Sequence, residues 1–196
     1  MTNNNTTIED ELTIAEWCQL ETDLENGQYE SWTARFPNRV EEIFGLYLRY
    51  RSNHVSVADL QRFQALGVDL DKQSRYYDSD AGVNTPLGFA CEYRHPSLIK
   101  NLVRMGVNVN QPINFDPMDS KENDAMSPLE TLLQGHSMND CSVDESECVE
   151  SCLKGLNADK LENKIHKWIF DEHCQEYLES DCNYLKEFLR SMTIIE

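Results

Sequence analysis

The chain predicts an all-α fold: a helix-turn-helix solenoid with extended hairpin loops and a helical cap at each end. Three observations carry that prediction. Residues 84–110, NTPLGFACEYRHPSLIKNLVRMGVNVN, place a hydroxyl-Pro-Leu helix start, a short apolar helix, a turn, a second apolar helix and a closing Gly in one 27-residue run. The ending LIKNLVRMGVNVN (98–110) is paralleled by LQRFQALGVDLD (60–71), with the Gly in register. The start Thr85-Pro86-Leu87 is matched by Ser127-Pro128-Leu129, 42 residues later. A helix pair of this size cannot bury its apolar faces alone, so one such unit predicts stacked neighbours on both sides.

Residues 1–37 read as the N-terminal cap. After a polar start, Thr6 or Thr7 caps a helix whose apolar positions Ile8, Leu12, Ala15, Leu20 and Leu24 recur at near-helical spacing up to Asn26-Gly27. Tyr29, Trp32 and Phe36 follow, and Pro37 breaks the chain. Residues 38–158 form the repeat region. Val40, Ile43, Phe44, Leu46, Tyr47 and Leu48 define one helix, and Val57, Leu60, Phe63 and Leu66 define its partner. Gly67 and Gly106 end their helices because a left-handed residue satisfies the last carbonyls at little steric cost.

The stretches Val-Asp-Leu-Asp and Val-Asn-Val-Asn after these glycines alternate apolar and polar residues, as the first arm of a hairpin does. From Asp71 to Thr85 is 14 residues and from Asn110 to Ser127 is 17, so both hairpin fingers carry insertions. At each new start the hydroxyl of Thr85 or Ser127 caps the helix, and Pro takes N1, where its missing N–H costs nothing. The helix PLETLLQG follows Ser127, and a second, from about Glu145 to Leu153, closes at Lys154-Gly155. Residues 159–196 read as a C-terminal cap of two amphipathic segments, Lys160 to Phe170 and Glu172 to Met192. Their stripes are Leu161, Ile165, Trp168 and Ile169, then Tyr177, Leu178, Tyr184, Leu185, Phe188 and Leu189.

Within 84–110 the chain resembles the ankyrin repeat: Thr85, Pro86, Leu87, Ala90, His95, Leu98, Ile99, Leu102, Val103, Gly106, Val109 and Asn110 fall where that pattern places them. The resemblance implies an array of units of about 33 residues that binds other proteins through its hairpin fingertips and the concave face of its inner helices. Gly88 and Glu130 stand where the pattern has a His after Thr-Pro-Leu, so an irregular network between units is expected.

Carried onto this chain, the resemblance selects two fingers. QSRYYDSDAGVN (73–84) offers Arg75, Tyr76, Tyr77, Asp78 and Asp80, and QPINFDPMDSKENDAM (111–126) offers Phe115, Asp116, Met118 and Asp119. On the concave side Glu92, Tyr93 and Arg94 end the inner helix, with Gln134, His136 and Met138 analogous in the next unit. Loop aromatics anchor interfaces because they bury much area at small entropic cost; the alternative is that they fold back over their own repeat.

The net charge of −18 is unevenly spread. Residues 1–30 carry eight acids and no Lys or Arg, residues 31–115 carry ten Lys+Arg against eight Asp+Glu, and residues 116–196 carry seven against nineteen. Such a field repels nucleic acid and anionic membrane and speeds association with a basic protein. It also serves solubility alone. No basic n-region, long apolar h-region or ~20-residue apolar span occurs, and seven cysteines without an export signal point to a reducing, cytoplasmic setting, or to the interior of a host cell.

Residues that invite a chemical reading are better explained structurally. Cys91 and His95, four apart, have the spacing of a thiolate–imidazole pair, but the repeat register places Cys91 at a small buried position and His95 in the inter-helix turn, where such a His bonds backbone. Cys141, Cys148, Cys152, His166, His173, Cys174 and Cys182 lack any CxxC, so a zinc knuckle is not expected. Asp144, Glu145, Glu147 and Glu150 lack the alternating donors and central Gly of an EF-hand loop. No GxGxxG, Walker, HExxH or GxSxG element is present. The sequence therefore predicts a monomeric, non-enzymatic, cofactor-free binder of a basic protein, of the inhibitor, immunity or anti-defence kind. Rival readings are a DNA-mimic inhibitor and a host-targeting effector.

Overall fold

The structure is a computed structural model; it describes residues 7–77, 84–113, 126–134, 145–157, 161–162 and 164–195. It is mostly helical. Two short helices, α1 (Ile8–Glu11) and α2 (Ile14–Glu25), replace the single N-terminal helix expected from the apolar spacing. The break has a local cause. Thr13 opens a new capping box, in which Glu16 N–H donates to Thr13 Oγ1 at 3.3 Å and Thr13 N–H donates to Glu16 Oε2 at 3.0 Å, leaving Leu12 extended. Donation from the Thr13 N–H and hydroxyl, and then from Arg35, holds the Glu16 carboxyl down at about 2. α1 docks on the next layer through Ile8 N–H, which donates at 2.6 Å to the buried carboxylate of Glu42.

α3 (Glu30–Arg35) leads into α4 (Val40–Arg51), and α5 (Val57–Ala65) starts from a second capping box, Ser56 with Asp59. Their interior is aromatic. Tyr29 lies 4.4 Å from Phe63 and 5.0 Å from Tyr47, ring centre to ring centre, and Phe44 lies 4.7 Å from Phe63. Offset and edge-on pairs of this kind add to the area they bury.

α6 (Pro86–Glu92) and α7 (Pro96–Arg104) form the expected pair. Thr85 caps α6 by accepting from Gly88 N–H at 2.9 Å, and Pro86 occupies the first turn. α5 and α7 end alike: Gly67 and Gly106 have φ of +99° and +84°, and Val68 and Val107 N–H return to Phe63 and Leu102 carbonyls. The shared signature in the sequence is thus one shared C-cap. α8 (Pro128–Gln134) is capped by Ser127, which accepts from Glu130 N–H at 3.2 Å, and α9 (Glu145–Leu156) follows.

α6 packs on α8 and α7 on α9, while α5 also meets α7. The apolar residues from Ile8 to Leu189 join in one core. The bases of both fingers are antiparallel, with Ser74 bridging Asn84 and Ile113 bridging Met126.

The C-terminal segment differs from expectation. Lys164–His166 is a strand, β1, that pairs in parallel with β2, Thr193–Ile195, where a helix from Lys160 to Phe170 was expected. Ile165 is fully buried between exposed Lys164 and half-buried His166, the alternation of a strand, and β-branched Ile194 stands opposite it. α10 (Lys167–Ile169), a π-helical turn (Phe170–Cys174) and α11 (Gln175–Glu179) then run on continuously, and α12 (Asn183–Arg190) follows a break at residues 180–182. Trp168, expected in the apolar stripe, is 44% exposed.

Candidate binding surface

The first finger's base is shaped by a glycine. A Cβ on Gly45 of α4 would lie 2.4 Å from the Tyr76 carbonyl oxygen, so the absence of a side chain lets the 3₁₀ turn Arg75–Tyr77 sit directly on the helix. That seating separates three expected contact residues. Arg75 is exposed and lies 5.2 Å over the ring of half-buried Tyr76. Tyr77 turns inward, 1% exposed, with its ring edge-on to Phe44 at 5.8 Å. Its side chain is therefore part of the core and not of the exposed finger, because an apolar slot beside α4 buries more of the ring than a loop tip would. Burial pushes its hydroxyl pKa well above the usual tyrosine range.

The turn between α6 and α7 shows a second correction. Arg94 was expected on the concave surface, yet it is 3% exposed, with a left-handed φ of +52°. Its guanidinium donates to the Leu132 carbonyl at 3.3 Å and to Tyr177 Oη at 2.9 Å, and pairs with Glu145. Its carbonyl accepts from the Cys148 thiol at 3.7 Å. A planar, multi-donor cation suits such a junction, since each of its three nitrogens finds an acceptor inside the chain. Beside it, Glu92 accepts from Asn84 Nδ2 at 3.0 Å, and Tyr93 is half-buried with its ring 4.9 Å from Phe89. Asp78, Asp80, Phe115, Asp116, Met118 and Asp119 lie outside the described residues, as do His136 and Met138; Gln134 is half-buried.

The residues with chemical potential are placed as follows. Cys91 is fully buried, and burial pushes its thiol upward; His95 is buried too, and burial holds its imidazole down at about 4. Both are thus neutral near pH 7. His95 Nδ1 meets Asn53 Oδ1 at 3.1 Å, a side-chain tie to the preceding helix pair where a backbone bond was expected. Cys148 and Cys152 share the buried face of α9. Glu130, also buried, accepts from Ser127 N–H at 2.9 Å through one oxygen and from His166 N–H at 2.8 Å through the other, with His166 Nδ1 at 2.7 Å. This carboxylate thus holds β1 against α8. Among the described residues, no three His, Cys, Asp or Glu side chains are grouped to hold a metal ion, and no helix is long and apolar enough to cross a membrane.

One surface escaped sequence reasoning. An open groove of about 610 Å³ runs between α3 and the end of α5, lined by Tyr29, Glu30, Thr33, Ala34, Pro37, Arg62, Ala65 and Leu66. Leu66 completes the apolar spacing of α5 yet is 48% exposed, because it is the helix C-cap and no element among the described residues covers it. The available signal was its position directly before Gly67, past the last full turn.

No protein-family model, curated protein or solved structure shows significant similarity to this chain.

Proposed function

We propose that the chain is a non-enzymatic, ankyrin-like stack of capped helix pairs that binds and neutralises a basic protein, as an inhibitor of the immunity or anti-defence kind. The observation that carries this reading is the charge of −18, concentrated toward both ends of the chain. An acidic surface steers a cationic partner and disfavours nucleic acid and anionic membrane. The stacked reading is supported by α6 on α8, α7 on α9, the common Gly67 and Gly106 caps and the antiparallel finger bases. Arg75, Tyr76, Glu92 and Tyr93 are the expected contact residues that retain exposed surface; Asp78, Asp80, Phe115, Asp116, Met118 and Asp119 belong to the same proposed fingers.

The test is affinity capture from the cell of origin, then titration of the purified partner at rising salt. A basic partner binding at 1:1, with affinity falling as salt rises, is the expected result. An acidic partner or salt-independent binding sinks the reading. The same charge also favours DNA mimicry, and competition by duplex DNA for the captured partner would move the conclusion there.

A further inference from the structure

We propose that the groove between α3 and the end of α5 is a docking site for an amphipathic helix of a basic protein, an inference that rests on the binding function proposed above and gives it a surface away from the fingers. The groove's walls are apolar and its floor is preformed. Tyr29 is 1% exposed and wedged between the rings of Tyr47 and Phe63, while its hydroxyl points to Asp59 at 3.4 Å. On the neighbouring face of α3 the Trp32 and Phe36 rings lie parallel, 6.5 Å apart, with the Arg35 guanidinium over both. The wall is thereby stiffened, and a rigid groove loses little entropy on binding. At the lip, Leu66 exposes an aliphatic side chain that a helix laid in the groove would cover, in the manner of apolar anchors at helical spacing.

Charge selects the occupant. The groove's own charges, Glu30 and Arg62, pair with each other, and around α3 and α5 the structure places the further acids Glu16, Asp23 and Asp59 against Arg35, a local balance of −2. The Arg side chains nearest the groove are already engaged: Arg62 with Glu30 at 3.4 Å and Arg35 with Glu16 at 2.8 Å. What remains around an apolar trough is negative, so the fitting ligand carries an apolar stripe flanked by Lys or Arg.

The experiment uses the whole chain and a fluorescein-labelled synthetic helix of Leu and Lys, with a Ser/Lys peptide of equal charge as control, titrated by anisotropy at low and physiological salt. The Leu/Lys helix is expected to bind, the Ser/Lys peptide to bind at least about tenfold more weakly, and Leu66→Gln to weaken the Leu/Lys helix about tenfold. Glu147→Lys, outside the groove, should change affinity less than about twofold, since a single distant charge is screened. Amide shifts should concentrate at Ala34, Ala65 and Leu66. Should Leu66→Gln alter the circular dichroism spectrum, Ala34→Gln on the facing wall serves instead. Equal binding of the two peptides, or wild-type affinity in the groove variant, overturns the site. A salt-sensitive basic partner captured with the groove variant at full affinity would overturn the groove alone and leave the wider binding function standing.

Discussion

The helix pairs from Val40 to Val109 and the C-terminal segment from Leu161 onward hold together by opposite means. In the pairs, local residues set several helix ends: Ser56 with Asp59 starts α5, Thr85 with Gly88 starts α6, and Gly67 and Gly106 end α5 and α7. Between pairs the contacts are mostly apolar, with polar ties that include His95 to Asn53, Asn101 to the Val55 carbonyl and Asn108 N–H to Asp71. The C-terminal segment has weaker local punctuation and is pinned from afar. Arg94 reaches Tyr177, Glu130 holds His166, and Asn110 Oδ1 accepts from Glu162 N–H at 3.0 Å. Local order specifies each pair as a unit, whereas the terminal segment is specified by the surface it lands on.

Breaking the aromatic floor should have the largest effect. Phe63 contacts Tyr29, Phe44 and Tyr47, so Phe63→Ala is expected to cost about 4 kcal/mol in urea unfolding, loosening both regions together. If the C-terminal amides kept full protection while the pairs opened, the dependence of that segment on the pairs would be disproved.

Acid comes next, through His95. Its folded pKa of about 4 lies below the ordinary value of 6.5, so between these values the unfolded chain binds more protons than the folded one. Stability contributed by this group is complete above pH 6.5 and is lost as pH falls toward 4, up to about 3 kcal/mol. His95→Gln should flatten that part of a stability–pH curve; an unchanged slope would assign it to other groups.

Arg94→Met separates the two regions. Removing the guanidinium takes away the side-chain donor to the Leu132 carbonyl and leaves the Tyr177 hydroxyl with only its 3.5 Å bond to Glu145, at about 2 kcal/mol, and hydrogen exchange should quicken first in α11 and α12. Uniform quickening across α4 to α7 would show that Arg94 supports the pairs equally. Smallest is Thr85→Ala, which removes the α6 cap and should cost about 1 kcal/mol without altering C-terminal exchange.

The same contrast explains what could be read in advance. α4 to α9 follow from caps, glycines and apolar spacing, all carried within a few residues. The parallel pairing of Lys164–His166 with Thr193–Ile195 joins residues about thirty positions apart, and the stripe Leu161, Ile165, Ile169 fits a helix equally well. Thr13 was legible as a cap only by weighing Glu16 three residues on against an unbroken apolar pattern. Arg75 and Tyr76 keep exposed surface, while Tyr77, beside them, turns in against Phe44 once Gly45 lets the Tyr76 backbone seat on α4. The burial of Arg94 depends on acceptors from α8, α9 and α11, none adjacent in sequence. Leu66 shows the reverse error: a residue in phase with the core but past the element that would cover it.

The backbone of Arg94 gives the turn between α6 and α7 an unusual constraint on substitution. A φ of +52° favours Gly, which would relieve local strain of roughly 1 kcal/mol. Yet Gly there would remove every bond to Leu132, Glu145 and Tyr177. Any variant selected for a better turn would thus loosen the hold on its terminal segment, and any variant selected to keep that hold must retain a strained turn, so the two optima cannot be reached by changing this position alone.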